Sequence, residues 1–106
     1  MKNLPDWIEL LTRLRLVSEE MLDLAKAGEW EAVGEQEAQR CSLVEQLFAQ
    51  PAPPAVIPAM ATCIQEVLAR DSLVLALGQA ARDKLMQQVI TLVQGRKACF
   101  AYEPLP

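Results

Sequence analysis

The chain has 106 residues, enough for one domain built around a single core, and its net charge of −4 opposes a phosphate backbone over most of its surface, so nucleic acid is not expected as a ligand. Hydrophobic residues make up 52% but aromatics only 5%, and the weight of Ala, Leu, Val, Glu and Gln favours an all-α fold packed by aliphatic side chains over a β-sandwich. No apolar run approaches the ~20 residues that span a bilayer, and the opening MKNLPDWIEL carries acids where a signal peptide is apolar, so a cytoplasmic chain without membrane insertion is expected.

Pro5 suits a first helical turn, where its missing N–H costs nothing, and the spacing predicts a first helix from about Pro5 to Ala27. At 100° per residue Trp7, Leu10, Leu11, Leu14, Val17, Met21, Leu22, Leu24 and Ala25 share one arc, with Ile8 and Leu16 outside it. Gly28 is expected to close this helix in the left-handed conformation, and Glu29 and Glu31 then suit the positive end of the next one. Trp30, in the first turn after the break, reads as a hairpin staple packed back onto Met21, Leu24 and Ala25.

The second helix continues to about Ala49, with Trp30, Val33, Cys41, Val44, Leu47 and Phe48 on one stripe that Glu37 and Arg40 interrupt. A structureless loop follows at residues 51–58, PAPPAVIP, because its four prolines remove donors and restrict their predecessors. The third helix is expected from Ala59 to about Gln94, with Gly78 its weak point and a tail at residues 96–106. Its apolar arc is wide and contains Asp71 and Arg82.

Geometry then leaves an overhang. A second helix of ~20 residues running back from the loop covers the third only to about Gly78–Ala81, which bares Leu85, Met86, Val89, Ile90, Leu92 and Val93. A second copy of the chain, the tail Ala98–Pro106 folded back, or a client protein would cover this face. Leu85, Met86, Val89, Ile90 and Val93 are the candidate self-association residues of a homodimer. Glu37, Arg40, Asp71 and Arg82 form either a buried polar layer that sets helix register or a stripe edge with charged ends in water.

Chemistry is absent from this pattern. Cys41, Cys63 and Cys99 form no C-x-x-C and there is no histidine, so no metal site, cofactor or catalytic base is expected. Cys41 and Cys63 read as small core or core-edge residues.

The stretch MLDLAKAGEWEAVGEQEAQRCSLVEQL, with Gly28-Glu29-Trp30-Glu31 at the hairpin and Gln36-Glu37 in the second helix, resembles the FliT family of flagellar type III export chaperones. Asp71 followed by Leu73, Val74 and Leu77 is similar to that family's third helix, and the likeness spans about residues 7–95. The resemblance implies a cytoplasmic chaperone that holds the C-terminal segment of a FliD-like filament-cap protein and docks to the export ATPase complex; enteric members also bind a transcription regulator. One departure is that family members often carry a fourth helix over the client surface, where GRKACFAYEPLP has room for about one turn before Pro104. Leu43, Leu47, Leu68, Leu75 and Met86, apolar but off the centre of their stripes, are the expected client-binding residues. The alternative is a helical dimerisation module that holds no client.

Overall fold

The structure, a computed structural model, describes the fold of residues 2–101 and the side chains of residues 2–97. Among these residues it is all-α, with α1 at Leu4–Lys26, α2 at Trp30–Phe48 and α3 at Ile57–Ala101. The start of α1 is held by the Asn3 N–H donating to Asp6 Oδ2 at 2.9 Å, with proline in the first turn. Its end is a Schellman motif. Gly28 takes φ 77°, its N–H reaches Ala25 O at 3.1 Å, and the Glu29 N–H reaches Leu24 O at 2.9 Å.

The chain runs up, down and up, so α1 and α3 are parallel neighbours. Their seam is fastened by Arg15 to Glu66 at 2.5 Å and Arg70 to Glu19 at 3.2 Å, pairs whose numbers rise together along both helices. The larger core cluster gathers Trp7, Leu10, Leu11 and Leu14 of α1, Leu43 and Leu47 of α2, and Val56, Met60, Cys63 and Val67 from the loop end and α3. A smaller cluster, Met21, Ala25 and Val33, has Trp30, Val74 and Leu77 packed around it, and Val17 touches both.

Several expectations change. Cys41 and Phe48 are exposed, and Leu43 is buried in their stead. The reason is that α2 packs along its length against α1 and meets α3 through Trp30 and Arg40, so its buried line is the one that faces α1: Val33, Leu43 and Leu47. The proline loop is not structureless either. The Val56 N–H bonds Pro53 O at 2.9 Å, and the turn drives Val56 into the core.

The third helix begins at Ile57, ahead of Pro58, and runs 45 residues through Gly78 and Gly95 to Ala101, past the expected end near Gln94. Residues 96–101 therefore extend the helix and do not turn back over it. The expected tail contacts of Phe100 and Tyr102 lie outside the described side chains. From residue 79 to residue 97 every position is exposed, so the overhang is present, and the molecule measures 80 × 20 × 20 Å.

Gly78 stands in the middle of α3 with φ in the helical range, where a Cβ would meet Trp30 Cη2 at an ordinary 3.7 Å. Gly78→Ala is expected to stabilise the fold by about 0.5–1 kcal/mol, because alanine has less backbone entropy to lose and no clash to suffer. Gly28→Ala, by contrast, forces a left-handed φ on a residue with a Cβ and should destabilise. Urea melts of the two variants should move in opposite directions; a destabilised Gly78→Ala would mean that the added methyl displaces the Trp30 ring.

Candidate functional site: a groove between α2 and α3

The middle helix of the three is α1. It packs on both others, while no Cα of α2 comes within 8 Å of a Cα of α3 among the described residues. The gap is a groove with α1 as its floor. At one end a hollow of about 230 Å³ has Leu14 and Leu47 at its base and Val44, Phe48, Ile64 and Leu68 on its walls. At the other, a wider hollow of about 490 Å³ is lined by Met21, Trp30, Val33, Val74 and Leu75.

A polar belt separates the two hollows. Arg40 of α2 donates across the gap to Asp71 Oδ1 of α3, and its second terminal nitrogen lies 2.6 Å from Glu37 Oε2. Burial works against the Arg40 charge, but the hydrogen bonds and charges of Glu37 and Asp71 outweigh it and hold the guanidinium's pKa above its ordinary value. The belt links α2 to α3 midway along the groove. The apolar walls on either side of it stay open.

Trp30 does more than staple the hairpin. Besides packing with Met21 and Ala25 of α1, its ring reaches α3 beside Gly78, closing the wide end of the groove. Gly28 holds the turn that places it there. Sequence reasoning saw the α1 contact and missed the α3 one, although Gly78, a glycine amid strong helix formers and level with Trp30, was the signal.

The expected client-binding residues divide. Leu68 and Leu75 stand on the α3 wall, two turns apart, 58% and 63% exposed. Leu47 is 1% exposed and offers the groove only its inner edge, and Leu43 is core, turned toward Arg13 and Val17 on the opposite side of α2. Both are central to the buried line of α2 and not at its margin, for the reason given above. Met86 is exposed on the overhang, ~16 Å along α3 from Leu75. Phe48 and Val44, read from sequence as core, are instead groove wall.

Arg82 does not join the belt. It lies three turns beyond Asp71, exposed, where no part of α2 reaches. On a helical projection, however, Ile64, Leu68, Asp71, Leu75, Arg82, Met86, Val89 and Val93 fall within about 80° of arc, so the α3 wall of the groove continues as one line onto the overhang. Leu85 and Ile90 flank that line on either side.

The cysteines offer no chemistry to this groove. Burial pushes the Cys63 thiol up, and Sγ lies 3.6 Å from Leu11 O, so it stays protonated as a small core residue. No group of three His, Cys, Asp or Glu arranged to hold a metal occurs among the described residues.

Compared with known proteins, residues 8–104 match the family model described as flagellar protein FliT. No curated protein and no solved structure matches the chain. The matched span takes in all of α2 and α3, both walls of the groove and nearly all of its floor helix, and on that match the chain belongs to the FliT family of flagellar proteins.

Proposed function

We propose that the protein is a flagellar type III export chaperone that binds the C-terminal segment of a FliD-like filament-cap protein and keeps it export-competent in the cytoplasm. The observation that carries this reading is the open α2–α3 groove: two apolar hollows with a ready-made floor, and large side chains at Leu68 and Leu75 that the chain itself does not cover. Such a surface suits an amphipathic helix laid in a groove, and a filament-cap segment whose apolar face pairs only after secretion needs such a cover. The family supports the flagellar setting. No helix among the described residues is long and apolar enough to cross a membrane. Docking of the loaded chaperone to the export ATPase complex belongs to the same proposal, and neither a cofactor nor catalysis does.

In this site Leu68 and Leu75 are the anchors, with Leu47 beneath them. Leu43 drops out because its side chain is used in the core, and Met86 belongs with the overhang. The test is calorimetric titration of a filament-cap C-terminal peptide into the wild type, Leu68→Asp and Leu75→Asp. Each variant should bind about 1–3 kcal/mol more weakly with its helical signal intact, since both positions are exposed before binding. Unchanged affinity in both variants would put the client elsewhere.

A specific observation favours a second reading beside the first. The uncovered second half of α3, with Leu85, Met86, Val89, Ile90 and Val93 between 44% and 59% exposed, suits pairing with another copy across a two-fold axis. A homodimer built there leaves the groove free.

A further inference from the structure

The groove is apolar at both ends and charged only at its waist. Of the residues that line its hollows, Glu37, Arg40 and Asp71 alone carry charge, and the trio sums to one negative charge. The arrangement is layered. The Arg40 side chain is 18% exposed beneath Glu37 at 42% and Asp71 at 34%, so what faces the open groove is carboxylate. Arg40 has two of its nitrogens committed to those acids, which leaves the cation inward and the acids as the recognition surface.

The spacing is as informative as the sign. Leu68 and Leu75 lie seven residues apart, about 10.5 Å along the axis, with Asp71 between them. On the opposite wall Glu37 sits midway between Val44 and Trp30, which are fourteen residues apart, so it is the α3 wall that carries the seven-residue spacing. A helix lying in the groove presents positions i and i+7 on one face with i+3 and i+4 between them, which is the same period.

Resting on the chaperone reading above, we infer that the groove selects an amphipathic helical segment with large apolar side chains at i and i+7 and a lysine or arginine at i+3 or i+4, whose cation settles between Glu37 and Asp71. The two hollows supply affinity, and the belt supplies register. A segment slipped by one turn brings an apolar side chain onto two carboxylates and a cation into a hydrocarbon hollow, and a segment with an acid at the centre meets like charge. An apolar groove without the belt would tolerate both.

Three synthetic helical peptides test this, identical but for Lys, Gln or Glu at the position between two leucines spaced i and i+7. Titrated into the full chain at low salt, the Lys peptide should bind about two- to fivefold more tightly than the Gln peptide, the scale of a partly exposed ion pair, and the Glu peptide more weakly again. The spread should narrow at 0.5 M salt, beyond the Debye range. Glu37→Gln should compress the Lys-to-Glu ratio while helicity and melting temperature hold, and Asp71→Asn serves as the second variant if that one unfolds. Equal binding of all three peptides overturns the charge selection and leaves the groove as a chaperone site. A preference for Glu overturns it by sign, assigning recognition to Arg40. Failure of all three while a filament-cap C-terminal peptide still binds overturns the i, i+7 geometry, and failure of that peptide as well brings down the chaperone reading on which the inference rests.

Discussion

Trp7→Ala is expected to lower the free energy of unfolding by about 3–5 kcal/mol, the range for deleting a large buried aromatic side chain. Trp7 is 1% exposed in the larger core cluster, where the start of α1, the end of α2 and the loop into α3 meet through Leu47, Val56 and Met60. The Lys2 ammonium lies 4.4 Å from the ring centroid and donates to Gln46 O, and Pro51 and Pro53 flank the same hollow as the ring, so removing the indole also releases the seal over this end of the bundle. A domain of this size has roughly 5–15 kcal/mol to lose, and a slender one with an uncovered helix stands low in that range. Trp30→Ala should cost less, about 2–3 kcal/mol, because the ring is half-buried and one of its faces lines the groove. Urea titrations followed by far-UV circular dichroism measure both. A Trp7 variant within 1 kcal/mol of wild type would remove Trp7 as the keystone, and a Trp30 variant that melts normally but loses its client would make Trp30 a binding residue first.

The helices were readable because their signals are local. Pro5, Gly28 and the four loop prolines each fix a backbone angle or delete a donor, and those constraints hold whatever packs around them. The overhang was readable for a similar reason, since helix length follows from residue count alone. What could not be read was which way α2 turns. Its stripe contains apolar residues over a wide arc, and periodicity does not say whether Leu43 or Phe48 faces in; that depends on α1 being the central helix, which is a tertiary fact. Both Leu43 and Phe48 were misassigned by the same rotation. Glu37, Arg40 and Asp71 were visible as polar intrusions on apolar stripes; they meet in one belt that keeps its carboxylates in water, sharing features of both a polar layer and a stripe edge. Arg82 shared that signal and does not share the place, because α2 ends its cover of α3 one turn short of it.

The belt also explains why the molecule has two core clusters and not one. Ser18, 1% exposed on α1, lies between Leu14 of the larger cluster and Met21 of the smaller, at the level where Arg40 and Asp71 cross the groove above. A continuous apolar layer there would draw α2 and α3 together and close the gap. An ion pair across it holds the walls at a fixed separation instead, which is the condition a preformed groove needs. Its contribution to stability is small, since all three side chains keep contact with water.

Ile90→Asp is expected to turn a dimer into a monomer. Beyond Lys84 the α3 overhang carries no charge until Arg96, and its residues 85–94 read LMQQVITLVQ. A stretch of helix without tertiary cover is only marginally stable in water, and this one exposes a line of aliphatic side chains along one face, with Gln87, Thr91 and Gln94 on the other. In the homodimer proposed above, a second overhang would supply a partner helix of matching length and character. In such a pairing a two-fold axis places each substitution in the interface twice. Two buried isoleucines lost and two carboxylates brought into an apolar seam together weaken the dimer by about 4 kcal/mol or more, a thousandfold in the dissociation constant. Sedimentation equilibrium at tens of micromolar should find wild type as dimer and Ile90→Asp as monomer, with the variant losing helical signal from the overhang while the core melts as before. Client titration into the same variant separates the two surfaces. If Ile90→Asp binds the filament-cap segment as wild type does, the groove and the overhang act independently. If wild type is itself monomeric at millimolar concentration, the overhang is not a self-association surface, and the line from Leu75 through Met86 to Val93 becomes an extension of the client site.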